Sequence, residues 1–248
     1  VRIFGLTGFP LGHSFSPDYF KQKFISLGLE GQCDYRLFPF EDVSEIRATL
    51  SAAAGLEGLN VTLPHKSAII PFLDETDSTA AAVGAVNTIR IFPDGRWIGY
   101  NTDIIGFRKS ISPFLRTGQD RALILGTGGS SRAVQYVLKD LGIDYFLVSR
   151  AETDAAQRVI SYSDLQPEFA SMFGLIINTT PVGMWPGTHL MPDFPVAAFR
   201  SGQLVVDLIY RPAPTLFLQK AREAGADILD GNSMLRLQAD ASWEIWNK

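Results

Sequence analysis

One stretch constrains this chain more than any other. Ala122 to Leu125 is apolar at every position and runs without a break into Gly126-Thr127-Gly128-Gly129-Ser130-Ser131-Arg132-Ala133, after which Val134, Val137, Leu138 and Leu141 recur at helical spacing. Strand, glycine turn and helix in that order open a βαβ unit. The physical logic is that of a dinucleotide site: Gly126 permits the tight turn, Gly128 lets the backbone approach a pyrophosphate, and the helix N-terminus supplies unpaired N–H groups and the positive end of the dipole. The third glycine of the usual G-x-G-x-x-G string is replaced by Ser131. Taken alone, the turn fits a nicotinamide site, an S-adenosylmethionine or flavin site, and a plain strand-to-helix connection about equally.

The same alternation runs along the whole chain and predicts parallel strands joined by crossover helices. In the first hundred residues the strands are 2–7, 34–38 and 57–61. Ser16-Pro17-Asp18 reads as the N-cap, first position and acidic first turn of a helix that carries Phe20, Phe24 and Leu27 and stops at Gly28. Val43, Ile46 and Leu50 mark a second helix, and 88–92 with 97–100 form a hairpin around Pro93-Asp94-Gly95-Arg96. From Arg121 the pattern restarts, with strands at 122–125, 145–148, 175–177, 204–208 and 227–229. Residues 113–120, with Pro113, Thr117 and Gly118, read as a linker. The last helix, 234–246, follows the final strand, so it has no later strand to cross to and is free to pack elsewhere, with Trp243 and Trp246 as apolar anchors.

Composition removes several classes of function. With 22 basic and 26 acidic residues and a net charge of −4, the chain lacks the concentrated basic surface of a nucleic-acid binder. No apolar run approaches the length of a membrane span; the opening Val1-Arg2-Ile3-Phe4-Gly5-Leu6 is broken by Gly8, Pro10 and Gly12 and reads as a first strand. One cysteine, Cys33, and three histidines leave neither an internal disulfide nor a Cys/His metal cluster, so no metal is expected and the setting is cytoplasmic.

Three phrases in the N-terminal half are polar where strand ends should fall, and the carboxyl ends of strands line the ligand crevice of an open α/β sheet. They are His13-Ser14-Phe15-Ser16, Asn60-Val61-Thr62-Leu63-Pro64-His65-Lys66, and Asn87-Thr88 with Asn101-Thr102-Asp103. Hydroxyls, amides, one lysine and one aspartate together suit a small, hydroxylated, anionic molecule. Each phrase also has a plainer reading: Ser16 as an N-cap, Thr102-Asp103 as a cap of the next helix, Lys66 as a solvated lysine, Asn87-Thr88 as turn chemistry. His65 would project away from Lys66, and His13 and His189 receive no role. At the tip of the strand after the glycine helix stand Ser149 and Arg150, with no acid to bind a ribose 2′-hydroxyl, which favours NADP over NAD.

Seven phrases in order carry a family resemblance: Gly12 to Pro17, Asn60 to Lys66, Gly84 to Thr88, Asn101 to Asp103, Gly126 to Gly129, Asn178-Thr179-Thr180-Pro181-Val182-Gly183-Met184, and Met234 to Ala239. The chain resembles the shikimate dehydrogenases over nearly its whole length. The resemblance implies an α/β protein with an N-terminal α/β substrate domain, residues 1–103 and 235–248, and a Rossmann-type doubly wound dinucleotide-binding domain, residues 104–234. It implies reversible reduction of 3-dehydroshikimate to shikimate with NADPH, on the route to aromatic amino acids, by a monomer or homodimer whose partner is that small-molecule substrate. Lys66 and Asp103 would be the catalytic pair, Ser14 and Ser16 would hold the substrate carboxylate, Thr62, Asn87 and Gln238 would bind ring hydroxyls, and Tyr210 would lie near the substrate. Gly126, Thr127, Gly128, Gly129 and Ser130 would take the pyrophosphate, Ser149 and Arg150 the adenosine end, and Thr179, Pro181, Gly183, Met184, Leu208 and Gly231 the rest of the cofactor. The chain departs from the family where an Asn-Arg-Thr phrase is usual: Ser149-Arg150-Ala151 stands there, with Glu152 and Asp154 close by. A quinate/shikimate dehydrogenase using NAD and a ligand sensor without turnover are the alternatives; a sensor would be expected to lose the lysine–aspartate pair or the glycine turn, and both are kept.

Overall fold

The computed structural model describes residues 1–12 and 14–248; His13 lies outside the described residues. The chain forms two compact units, residues 1–105 with 238–248, and residues 106–237.

The first unit contains β1 (Arg2–Gly8), α1 (Ser16–Ser26), β2 (Cys33–Pro39), α2 (Ser44–Leu50), β3 (Leu56–Val61), β4 (Glu75–Thr76), α3 (Ser78–Val83), β5 (Thr88–Ile91) and β6 (Trp97–Tyr100), and the start of α4 (Asp103–Ile111). Its six strands lie in the order β2-β1-β3-β5-β6-β4. β1 pairs parallel with β2 and β3, whereas the hairpin β5–β6 joins antiparallel through β3, so the sheet is mixed. β1 is buried on both faces because its side chains alternate between two cores. Ile3 packs with Ile46, Leu59, Ile69 and Trp97 on one side; Phe4 and Leu6 pack with Phe20, Phe24, Tyr35 and Trp246 on the other. The second core is aromatic, with Phe20 stacked on Tyr35 at 4.4 Å and Phe4 on Trp246 at 4.8 Å between ring centroids. Trp246 also donates its indole N–H to the Ile89 carbonyl at 2.9 Å. The indole lies so close over Gly58 that any side chain there would overlap it.

The second unit completes α4 and adds β7 (Arg121–Leu125), α5 (Gly129–Asp140), β8 (Asp144–Ser149), β9 (Val159–Ser161), α6 (Pro167–Ala170), β10 (Leu175–Asn178), β11 (Leu204–Asp207), α7 (Leu216–Glu223), β12 (Asp227–Leu229) and the first residues of α8 (Asn232–Trp246). Every pairing is parallel, and the order β9-β8-β7-β10-β11-β12 is the 3-2-1-4-5-6 arrangement of a doubly wound dinucleotide fold, with its switch point between β7 and β10. The expected fold class is therefore observed.

Two sequence expectations need correction. The helix α1 starts at Ser16 with Phe15 in the N-cap position and no side-chain cap, so Ser16 is not the cap. Residues 113–120 are not a linker: they lie inside the second unit, where the Gln119 side chain accepts from the Arg116 amide and the Gly118 carbonyl packs against Gly174. A tight turn connects β8 to β9, a strand that the sequence pattern did not mark. The Asp154 carboxylate accepts from the Ala156 and Gln157 amides at 3.0 and 3.2 Å, and that local bond turns the chain back at residues 154–158 instead of letting it wind.

Candidate active site

In the first unit, four elements bring polar side chains together. The turn after β3 carries Lys66, the residue before β5 is Asn87, Asp103 opens α4, and Gln238 lies on α8. Lys66 Nζ donates to Asp103 Oδ2 at 2.7 Å, and Asn87 Nδ2 donates to Asp103 Oδ1 at 2.8 Å, so each carboxylate oxygen has its own donor. Lys66 and Asp103 are both largely shielded, with side chains 14% and 7% exposed, which excludes the reading of Lys66 as a solvated surface lysine. The Asn87 amide has one orientation. Its Oδ1 accepts from the backbone N–H of Thr102 at 2.7 Å, which can only donate, so Nδ2 faces Asp103. Gln238 Oε1 is 3.5 Å from Asn87 Nδ2. The cap reading of Thr102-Asp103 also fails: the Asp103 carboxylate is engaged by Lys66 and Asn87, and Asn101 Oδ1 accepts from the Ile104 amide instead.

The remaining first-unit candidates have partners of their own. Thr62 is half-buried just beyond β3, where its amide donates to the Thr7 carbonyl. Ser14 donates its hydroxyl to the Leu11 carbonyl at 3.0 Å. Ser16 lies against Tyr35, whose phenol is buried and pushed well above its ordinary range by loss of hydration, a shift that the Ser16 hydroxyl opposes. His65 is buried and its Nε2 faces the Phe40 carbonyl at 2.7 Å, a structural contact consistent with its exclusion as a base. His189 is exposed.

In the second unit the glycine turn joins β7 to α5. Gly126 has φ +102°, and a Cβ there would sit 2.9 Å from Thr179 Oγ1 and from Thr180 Cγ2, so the fold itself requires glycine. Gly128 differs: with φ −77° and ψ −173° it is an ordinary extended N-cap, and a Cβ there would touch nothing within 4 Å. Nothing in the chain explains the glycine, but a phosphate lying against that backbone would. The residues present thus fit a dinucleotide pyrophosphate, with the amides of Gly129 and Ser130 at the start of a twelve-residue helix and Thr127 exposed on the turn. Ser131, in the third-glycine position, is buried and donates to the Gly126 carbonyl at 2.8 Å, closing the turn from within.

The loop after β10 is held by a buried network that the sequence pattern did not single out. Asp207 Oδ1 accepts from Asn178 Nδ2 and from the Ile209 amide, each at 3.0 Å, and Asp207 Oδ2 accepts from Thr215 Oγ1 at 2.7 Å. Asn178 Oδ1 in turn accepts from the amide and hydroxyl of Thr180 at 3.0 and 2.7 Å. Burial pushes the Asp207 carboxyl up to about 6 despite these donors. Thr179 is anchored on the Leu125 carbonyl at 2.7 Å, Gly183 takes φ +102°, and Pro181 and Met184 are exposed at the rim of the loop. Leu208 and Gly231 touch at the backbone, and Tyr210 is half-buried beyond β11. Arg150 is exposed immediately after β8; Ser149 Oγ accepts from the Ala151 amide at 3.1 Å. Asp154 uses one carboxylate oxygen on its own turn, and Glu152 is exposed. Among the described residues no group of three or more His, Cys, Asp or Glu side chains is placed to hold a metal, and no helix is long and apolar enough to cross a membrane.

Comparison with known proteins gives the same direction. The family model described as the shikimate dehydrogenase substrate binding domain matches residues 6–89. The shikimate dehydrogenase (NADP(+)) of Methanosphaera stadtmanae is 35% identical over 261 residues, covering 98% of this chain and 90% of that protein. The chain belongs to the shikimate dehydrogenase family. Among solved members, the enzyme from Aquifex aeolicus superposes with a TM-score of 0.88 at 35% identity, covering 100% of this chain and 92% of the other. The Thermus thermophilus enzyme, solved with NADP(H) and shikimate, has a TM-score of 0.87 at 30% identity and covers 99% of this chain and 93% of its own.

Proposed function

We propose that this chain reversibly reduces 3-dehydroshikimate to shikimate with NADPH, with Lys66 and Asp103 as its catalytic pair. The observation that carries the assignment is the 2.7 Å contact between Lys66 Nζ and Asp103 Oδ2, shielded from solvent and set beside the amides of Asn87 and Gln238. A cation held by one carboxylate oxygen keeps two further N–H donors for the oxygen of a bound ketone. As charge builds on that oxygen, Lys66 Nζ stabilises it and gives up a proton; in the oxidative direction the hydroxyl returns the proton to the same nitrogen. Asp103 holds Lys66 in place, and Asn87 holds Asp103. Thr62, Asn87 and Gln238 bind the ring hydroxyls, and Ser14 and Ser16 bind the carboxylate. Tyr210 is a further substrate-binding residue in this reading.

The second unit holds NADP. The cofactor, when bound, supplies or accepts the hydride at its nicotinamide ring. Gly126 to Ser130 seat the pyrophosphate, Thr179, Pro181, Gly183 and Met184 border the nicotinamide, and Leu208 and Gly231 complete that wall. Arg150, exposed at the tip of β8, suits a 2′-phosphate, and Ser149 lies beside it. The lone buried thiol of Cys33 is compatible with the reducing cytoplasm in which the proposal places this step.

The test is an assay of the purified protein with shikimate and NADP, following the near-ultraviolet absorbance of the reduced cofactor. Sustained turnover with shikimate, and a lower rate with quinate and NAD, is the expected outcome. Binding of shikimate without turnover would establish a sensor in its place.

A further inference from the structure

Behind the Lys66–Asp103 pair lies a closed set of buried polar side chains that the catalytic reading does not use. Its centre is Ser242, on α8 one turn beyond Gln238 and fully buried. Four partners surround its oxygen: the Gln238 carbonyl at 2.9 Å, Asn60 Nδ2 at 2.9 Å, Thr88 Oγ1 at 2.8 Å and Thr102 Oγ1 at 3.2 Å. A hydroxyl has one hydrogen, so the donors and acceptors in this set can be worked out.

Two groups have no choice. The Gln238 carbonyl can only accept, so it takes the Ser242 hydrogen. The Asn87 carbonyl can only accept, so the Asn60 atom facing it at 3.3 Å is Nδ2, and Asn60 Oδ1 therefore receives the Tyr35 hydroxyl at 2.8 Å. With its hydrogen committed, Ser242 Oγ is an acceptor for Asn60 Nδ2 and for the Thr88 hydroxyl. That draws the Thr88 hydrogen away from Asn87 Oδ1, which lies 3.2 Å from it, and leaves Asn87 Oδ1 to the amide and hydroxyl of Thr102 at 2.7 and 3.1 Å. Asn87 Nδ2 is then held on Asp103.

We propose that Ser242 is a positioning residue for the reaction: by accepting from Asn60 and Thr88 at once, it keeps the Thr88 hydrogen off Asn87 Oδ1, leaves that oxygen to the amide and hydroxyl of Thr102, and so steadies the Asn87 amide that holds Asp103. Without its oxygen the Thr88 hydrogen turns to Asn87 Oδ1 and displaces the Thr102 hydroxyl, whose remaining acceptors are Thr88 Oγ1 at 3.1 Å and Gln238 Oε1 at 3.5 Å. Small shifts of this kind act on the geometry at the reacting oxygen more strongly than on hydrogen-bonded binding of the ring. The fold should tolerate the loss, since Ser242→Ala adds no volume and breaks no helical backbone bond.

The inference rests on the proposed dehydrogenase activity, and the experiment separates the two. Wild type, Ser242→Ala, Thr88→Val and the double variant are assayed with shikimate and NADP, and kcat is expressed per shikimate-binding site counted by equilibrium titration. Ser242→Ala should lose roughly tenfold in kcat with KM for shikimate within about threefold; Thr88→Val, which has no hydrogen to misdirect, should keep kcat within about threefold of wild type, and the double variant should recover most of the loss. Ser242→Cys, which keeps the side-chain shape and weakens the acceptor, reads the same contact if Ser242→Ala does not accumulate as folded protein. Unchanged kcat per site in the Ser242 variants, or a double variant as slow as Ser242→Ala, would overturn the role of Ser242 while leaving the activity standing. An inactive wild type would overturn both.

Discussion

The two glycines of the phosphate turn make the sharpest test of how the second unit works, because the same substitution should do opposite things two residues apart. In Gly128→Ala the new methyl enters open space at an unstrained backbone position, φ −77° and ψ −173°. Restricting the unfolded chain stabilises by about 0.4–1 kcal/mol, and alanine is a poorer N-cap than glycine by roughly 0.5–1 kcal/mol, so the net change in stability should be within about 0.5 kcal/mol of zero. Cofactor binding should suffer instead. A methyl placed against a close-packed phosphate costs about 1–3 kcal/mol, or roughly 5- to 150-fold in affinity. In Gly126→Ala the left-handed conformation costs about 1–2 kcal/mol, and the 2.9 Å approach to Thr179 Oγ1 and Thr180 Cγ2 adds overpacking of about 1–3 kcal/mol. That variant should lose about 2–5 kcal/mol of stability and cofactor binding with it. Urea unfolding of the cofactor-free protein and titration with NADPH measure the two quantities separately. If Gly128→Ala bound NADPH as tightly as wild type, the pyrophosphate would not lie against this turn; if it unfolded as readily as Gly126→Ala, the open space at Gly128 would be misjudged.

Lys66→Met should lower kcat by about 10²-fold or more, with a smaller change in KM for shikimate, because it removes the donor to the reacting oxygen. A kcat equal to that of wild type in steady-state assays would remove Lys66 from the chemistry. Asp207, pushed up to about 6, holds its proton more tightly when folded than when unfolded, so its contribution to stability is most favourable below about pH 4 and is lost as pH rises to about 6. At about 1.4 kcal/mol per pH unit the loss is of the order of 3 kcal/mol, and it should vanish from the pH dependence of urea unfolding in Asp207→Asn, which keeps an oxygen for Asn178 and Ile209. Parallel curves for the two proteins would contradict this. Arg150→Ala should lower kcat/KM for NADP by roughly 10-fold or more and leave the NAD value nearly unchanged, as the loss of a charge-assisted contact of about 1.5–3 kcal/mol requires. Equal losses with both cofactors would move the 2′-phosphate elsewhere.

What the sequence alone determined are features carried by neighbours along the chain. The all-apolar Ala122 to Leu125 followed by the glycines marked a central strand and its turn, because burial on both faces leaves no polar position and the turn needs Gly126. The alternation of strand and helical periods marked the α/β class for the same reason. Local pattern failed where a side chain took up a partner that the pattern did not reveal. Ser16 had the composition of a cap but faces Tyr35. Tertiary structure decided the contacts between partners that lie far apart in sequence, of which only the Lys66–Asp103 pair was named beforehand, by resemblance. Lys66 and Asp103 meet across 37 residues, and Asp207 binds Asn178 across 29. Ser242 reaches Asn60 across 182 residues, and no periodicity encodes such pairings. They follow from which strands become neighbours and where the last helix comes to rest, and the low-dielectric interior then leaves each buried polar atom little choice of partner.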